Sequence, residues 1–507
     1  MAKNQEKLGR AGDFSIDVAE ILSYQISEGG PGVGSEPMRI DIKNIIHSLE
    51  LQENIFNHTM VGKIQVYDTQ DVRTLLPITG LEKLNLAFST PGITGPRHVA
   101  NDSHPFHIYR IENVVPEGLA ASNNQVYDIF FCSRESYFNN MRKVSKAYNG
   151  PIELGVEDIF KSRKYLNSRK QLFVEKTKYP IKIVIPNLKP FSAIDMLAKK
   201  AVSERYQNAG YLFYETYTGY HFRSIESLLA MGGAGRRPAK WKYQLQQQNI
   251  RHHTGGKDIM KDMHGVKSWS LGDPVNVLEN LNEGAYGNKL LEHDMFNKIV
   301  TTTEYNYAED YNKHFHTESF PKGNPKTPLP NAKFEDTRRT LSQEYEQKIL
   351  FKSSTSAVHT EFENDGVTAK AIAGLPSRFT TQKIISQRKL LESGILTLTA
   401  PGLSLLHAGD IITFDMPLMR PMGHNIKQEL SPYWSGRYLI YNIKHIIHKT
   451  RGDYTIQIKA FKDNVETAYP SESQPWTHVA PPRKTHSIYD LDDAMVDSAG
   501  ISSKFGL

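Results

Sequence analysis

Apolar and polar positions in the first quarter of the chain alternate in short runs, and no sustained period of 3.6 appears. The runs are Phe14 to Leu22, Arg39 to Leu51, Met60 to Tyr67, Leu81 to Phe88, Phe106 to Val115 and Gln125 to Cys132. They predict six strands. The stretch GGPGVGSEP (29 to 37) joins the first two as a loop, because its glycines and prolines cannot sustain a ladder. Short strands at this spacing predict a small antiparallel barrel.

Beyond residue 132 the pattern changes. Helical spacing over Ala193 to Ala201 is followed by aromatic alternation at Tyr211, Phe213, Tyr217 and Phe222, a mixed α/β pattern. Val275, Leu278 and Leu281 predict a helix, and Lys298 to Tyr307 alternates like a strand. Pro321, Pro325, Pro328 and Pro330 exclude a packed element over 315 to 335, and a helix is expected around Thr337 to Phe351. After a helical lead-in at Thr381 to Leu391, strand chemistry returns. In YTIQIKAF (454 to 461), Tyr454, Ile456, Ile458 and Ala460 face one way and Thr455, Gln457 and Lys459 the other, as in a half-buried antiparallel strand. Past 464, four prolines (Pro470, Pro475, Pro481, Pro482) and the acidic Asp490, Asp492 and Asp493 predict a tail that runs over a surface or is held by a neighbour.

The chain also repeats itself. IYRIENVV (108 to 115) aligns without gaps on IYNIKHII (440 to 447), with Ile108/Ile440, Tyr109/Tyr441 and Ile111/Ile443 identical and Val114/Ile446 and Val115/Ile447 conservative. Each copy is preceded by a glycine and an apolar run and followed by a polar loop and another strand. The common order predicts a duplicated barrel, with Tyr109 and Tyr441 equivalent. The expected fold is therefore mainly β with α+β insertions. It comprises a first β-barrel domain over 1–132, a mixed α/β domain over 133–265, and a second β-barrel domain in two parts, 266–314 and 375–463. A Pro-rich and helical insert fills 315–374, and an extended C-terminal tail covers 464–507.

Length and composition agree with several domains. At about 150 residues per domain, 507 residues give three or four. The 61 Lys+Arg and 55 Asp+Glu leave +6, too thin an excess for a dedicated nucleic-acid binder. One cysteine, Cys132, allows no intrachain disulfide, and its setting after Phe130 and Phe131 reads as packing. Lys3, Glu6, Lys7, Arg10 and Asp13 leave no apolar core for a signal peptide within Met1 to Leu22, so folding in a cytoplasm is expected. Pro401, Gly402, His407, Gly409 and Asp410 break the most apolar window, so no membrane span is expected.

Candidate chemistry is sparse. Arg236, Arg237, Lys240 and Lys242, interleaved with Trp241 and Tyr243, could grip a phosphate backbone while the rings stack, or could be plain surface. GGAG within 231 to 242 lacks the spacing of a phosphate loop. His252, His253 and His264 cluster, and His314-x-His316 could turn two imidazoles to a metal, yet no carboxylate or cysteine stands at a supporting spacing. DLDDAMVD (490 to 497) lacks the glycine and terminal Glu of a calcium loop. No HExxH, GxSxG or helix-opening GxGxxG occurs. No catalytic, metal or cofactor residue is assigned, and no enzyme or cofactor is expected.

VYDTQDVRTLLPITGLEKLNLAF (66 to 88), with Tyr67-Asp68 and then Gly80-x-Glu82-x-Leu84-x-Leu86, resembles the first barrel of the baseplate hub protein of T-even and other contractile-tailed phages. DPVNVLENLNEGAYGNKLLEHDMFNKIVTTTEYNY (273 to 307) looks like the lead into that family's second barrel. So does LHAGDIITFDMP (406 to 417) followed by SGRYLIYNIKHIIH (435 to 448), a pattern shared in outline with type VI secretion spike proteins. The resemblance runs in order over most of 14 to 463, and its motifs are structural. It implies a homotrimeric hub with two barrels per chain, bound to a central spike protein, to tail tube or tube-initiator proteins and to other baseplate proteins. It implies a virion component of the tail baseplate, assembled in the host cytoplasm, with only transient nonspecific contact with ejected DNA and no stable membrane insertion. The insert and the tail depart from the family pattern. A tail-tip hydrolase or sugar-binding enzyme acting on the cell envelope is the alternative.

Overall fold

The computed structural model describes residues 8–23, 37–76, 78–80, 82–93, 98–116, 124–231, 235–245, 259–272, 276–295, 298–317, 339–354, 381–392, 394–417, 430–431 and 434–464. His252, His253 and the acidic run of the tail lie outside them.

The first alternating runs become β1 (Ser15–Ser23), β2 (Met38–Asp41), β3 (Ile46–Asn54), β4 (Val61–Asp68), β5 (Lys83–Ser89), β6 (His98–Ala100), β7 (Phe106–Pro116) and β8 (Gln125–Ser133). The run Arg39 to Leu51, expected as one strand, is split because Lys43–Ile45 makes a single tight turn between β2 and β3. The strands lie in the order β3-β4-β8-β7-β5-β1-β2, antiparallel throughout, and β6 is added on β5. Alternation puts Ile64, Val66, Leu84, Leu86, Ile129 and Phe131 into the core, each at most 1% exposed. Ile42 N still donates to Ala19 O of β1 (2.9 Å), so the chain itself carries the edge of β2 round into β3.

Between the barrels lie β9 (Val144–Gly150), β10 (Leu172–Val174), β11 (Ile181–Leu188), β12 (Tyr211–Thr216) and β13 (Gly219–Ser224). β9 pairs with β11, and β12 and β13 form a hairpin flanked by β10. Helix Pro190–Ala198 starts on a proline, which loses no helical bond at that position. Its Phe191, Ile194, Leu197 and Ala198 repeat at helical spacing and bury one face against helix Ile152–Lys161 and the β12–β13 hairpin. This part has its own core.

The short pair β14 (Ala230–Met231) and β15 (Gly235–Arg236) leads into β16 (Trp241–Gln244) and β17 (Ser268–Leu271). There follow β18 (Gly287–Asp294), β19 (Ile299–Asn306), β20 (Ile349–Ser354), β21 (Ile395–Pro401), β22 (Ile411–Asp415), β23 (Gly436–His448) and β24 (Asp453–Phe461). The second barrel has the order β16-β22-β23-β24-β21-β17, and a Gln244–Gly265 bridge, with Val266 N donating to Gln244 O (3.2 Å), brings its ends together. Among the described strands of this barrel, β16 and β22 pair parallel. In β24 the alternation is as read, with Tyr454, Ile456, Ile458 and Ala460 fully buried.

Two expectations are corrected here. Residues 287–306, expected within the second barrel, form a separate sheet in the order β19-β18-β20, over a small core of Tyr286, Tyr305, Tyr307, Tyr311 and Leu341. Of the helix expected around Thr337 to Phe351, the described residues 339–351 form no α-helix. Two single turns, Leu341–Gln343 and Tyr345–Gln347, lead into β20, whose parallel pairing with β18 overrides the local preference.

β23 is the longest strand, and it belongs to both barrels. Residues 436–439 pair with β22 and 442–448 with β3, making one 14-stranded sheet over one continuous core. The chain is mainly β with α+β insertions.

The hydrogen-bond register relates the barrels residue by residue. β5, β7 and β8 correspond to β22, β23 and β24, and β3 and β4 to β17 and β21, in the same chain order. Ile108 N donates to Glu82 O (3.0 Å) and Ile440 N to Asp410 O (2.8 Å). The pairings then skip Tyr109, between Ile108/Phe131 and Arg110/Phe130, and Tyr441, between Ile440/Ala460 and Asn442/Lys459. Both tyrosines are thus the bulged residue of the same hairpin. The gapless alignment fails just beyond. A second bulge in β7, with Asn113 at φ 55°, inserts one residue, so Val115 rather than Val114 takes the place of Ile446.

Candidate functional site: the seam between the barrels

The seam is built by the second half of β23. Seven successive pairs run from Asn442 opposite Asn54 to His448 opposite Ser48. Ile55 N donates to the carbonyl of bulged Tyr441 (2.9 Å), Gln52 Nε2 to Asn442 Oδ1 (2.8 Å), and Lys444 Nζ lies 2.6 Å from Glu50 Oε2. Tyr441 stacks on Phe461 at 4.0 Å between ring centres, and the Arg388 guanidinium covers the neighbouring Phe56 at 4.7 Å. A backbone ladder with packed rings holds the barrels as one body.

Buried carboxylates tie the mixed part to both barrels. Glu53 of β3, fully buried, accepts from Tyr217 N and from Ala408 N, each at 3.0 Å. Burial pushes its carboxyl up to about 8. Lys170, paired with both Glu135 and Glu215, is the second tie, because Glu215 also accepts from Met60 N of the first barrel (2.9 Å). Asp410, 2% exposed, accepts from Arg237 Nη2 (3.2 Å), Lys240 Nζ (2.9 Å) and His407 N (3.1 Å). Glu82, its counterpart in the first barrel, accepts from Thr79 N (2.9 Å), three residues upstream in the same way.

The candidate clusters resolve differently from their sequence reading. Trp241, Lys242 and Tyr243 lie in β16, with Tyr243 fully buried. Arg237 and Lys240 neutralise Asp410 and Lys242 pairs with Asp415, so these cations are engaged within the fold instead of forming a phosphate-binding face. His264 stacks on Trp241 at 4.5 Å. His314 and His316 do not converge: His314 Nδ1 meets Glu226 (2.8 Å), whereas His316 Nδ1 meets Asp463 (2.7 Å). Among the described residues no three His, Cys, Asp or Glu side chains form a group that could hold a metal.

A cleft of about 1000 Å³ runs beside Asp410, lined also by Glu175, Arg223, Arg237, Lys240 and His407. Three acids line it, Glu175, Glu204 and Asp410. Asp410 has the partners above, and Glu175 accepts from Ser203 Oγ (2.5 Å), Ser224 N (2.6 Å) and Ser224 Oγ (3.0 Å). Burial holds His407 down at about 4, so it is neutral near pH 7. A carboxylate saturated by donors is a poor proton donor or nucleophile, which describes Asp410 and Glu175. Sequence reasoning missed Glu53, because a single Glu in an alternating strand carries no signal that two other segments will cap it.

No protein-family model and no curated protein matches the chain. Solved structures do. A tail protein from Neisseria meningitidis MC58 is 9% identical with TM-score 0.45, over 89% of this chain and 97% of that one. The 43 kDa tail protein of prophage MuSo2 from Shewanella oneidensis is 10% identical with TM-score 0.44, over 88% and 98%. An E. coli component of the type VI secretion system, described as structurally similar to T4 bacteriophage tail proteins, is 12% identical with TM-score 0.39, over 82% and 73%.

Proposed function

We propose that this chain is the structural hub of a contractile phage-tail baseplate: three copies form a ring between a sixfold tail tube and a threefold central spike, around a passage for the genome. The observation that carries the reading is the matched strand order and bulge of two barrels joined along one seam. A chain that is itself a pair of similar units gives six units from three copies, and so adapts threefold to sixfold symmetry without another subunit. The sequence resemblance over 66 to 88, 273 to 307, 406 to 417 and 435 to 448 supports the same reading.

Its partners are then the other two copies, the spike, the tube or tube-initiator proteins and neighbouring baseplate proteins, in the virion after assembly in the host cytoplasm. DNA passes without being held, since a strongly basic lumen would retain it through counterion release. The hub needs no catalysis. Class averages of negatively stained protein test the reading: a ring with six lobes around a hole is expected, and compact single particles at every concentration, with and without the spike, would refute it. Turnover of peptidoglycan, abolished by one Asp or Glu substitution in the cleft, would favour the tail-tip hydrolase instead.

A further inference from the structure

The seam uses two strand edges, and the duplication supplies a second copy of each. β7 corresponds to β23. It pairs with β8 along its length, but with β5 only at Phe106 and His107, as β23 pairs with β22 only at residues 436–439. Past its bulge, β23 turns its open edge to β3. The same edge of β7, Arg110 to Pro116, has no strand partner among the described residues. β17 corresponds to β3, and among the described strands it stands at one end of the sheet and pairs only with β21.

The backbone groups on both edges are aimed outward. Gly272 N donates to Ile395 O on the β21 side, so by strand alternation Trp269 and Leu271 turn their N–H and C=O groups away from β21. Their counterparts Leu49 and Leu51 use those groups in the seam. Apolar side chains on the β7 edge are uncovered: Tyr109 is 45% exposed, Val114 40% and Val115 57%, whereas Tyr441 and Ile446, the seam counterparts of Tyr109 and Val115, are part-buried. An unpaired edge carrying exposed apolar residues invites another strand.

We infer that β7 of one copy pairs antiparallel with β17 of a second copy of this chain, repeating between chains the seam that β23 and β3 form within one. This rests on the ring reading above and names the contact that would close it. The seam register carries over directly. Glu112 falls opposite Gly272, Val115 opposite Ser270 and Pro116 opposite Trp269, from the pairs Lys444–Gln52, Ile446–Glu50 and Ile447–Leu49. Pro116 brings no N–H, so this ladder has one bond fewer than the seam. Each copy offers one β7 and one β17, a head-to-tail contact that closes into a ring when the rotation allows.

The test is disulfide formation in the full-length protein. Val115 and Ser270 would form a non-hydrogen-bonded cross-strand pair with Cα atoms about 4.5 Å apart, within disulfide reach. The one native cysteine, Cys132, is buried. Oxidised Val115→Cys/Ser270→Cys protein is expected to run as covalent dimer and trimer, while each single variant and the shifted pair Val115→Cys/Lys267→Cys stay monomeric on a denaturing gel. Val115→Lys is expected to lose the trimer with its far-ultraviolet circular dichroism unchanged. A wild-type trimer whose double-cysteine variant gives no cross-link, or a Val115→Lys protein that stays trimeric, overturns this contact and leaves the ring standing. A wild-type protein that is monomeric with and without the spike removes the ring and the contact together.

Discussion

Replacing Lys170 by Met removes the one cation between two buried carboxylates. Glu215 and Glu135 are 1% and 2% exposed, and Lys170 lies 3.4 Å from Glu135 Oε2 and in direct contact with Glu215 Oε1. Burial works against the ammonium, but the two carboxylates outweigh it and hold Lys170 above its ordinary pKa. Burial also raises Glu215, while at Glu135 the cation and the Ser168 hydroxyl (2.5 Å) overcome burial and lower it. In the intact cluster the ammonium of Lys170 offsets both carboxylates. Without Lys170, two carboxylates remain in a dry site, and breaking a buried pair in this way costs about 3–5 kcal/mol. Protonating the acids relieves the cost, so the loss is expected to be large at pH 8 and clearly smaller at pH 5. Urea unfolding followed by circular dichroism at both pH values measures it. A loss under about 1 kcal/mol at pH 8, or a larger loss at pH 5 than at pH 8, would refute the reasoning.

Asp410→Asn leaves Arg237 and Lys240 without their shared carboxylate and is expected to cost about 2 kcal/mol, read as a lower Tm by scanning calorimetry. Glu53 has a folded-state pKa raised from 4.5 to about 8, so its stabilisation is full below pH 4.5 and is lost as pH rises to about 8. Glu53→Gln should flatten that part of the stability–pH curve, and an unchanged slope would count against the assignment. Burial pushes the Cys132 thiol up to about 11, so the folded protein should react with a disulfide reagent at pH 8 far more slowly than the unfolded chain.

Much of this fold was legible because long strands advertise themselves. β24 buries the alternate residues its sequence marks, and the IYxI echo located a bulge shared by both barrels. Short strands did not. β16 has four residues, and its Trp241-Lys242-Tyr243 reads as a basic patch until β22 pairs with it and Asp410 collects the flanking cations. β17 is equally short. The longer β19, by contrast, announced a strand but not the sheet it joins. Pairing between distant residues has no local signature, so neither the sheet that 287–306 joins nor the capping of Glu53 by Tyr217 and Ala408 is readable from the sequence.

The mass of the purified protein, measured by light scattering alone and with its spike partner, tests the central claim most directly. The hub account predicts a species of three times the 57.5 kDa chain that does not grow further with concentration. A monomer or dimer under both conditions would contradict it.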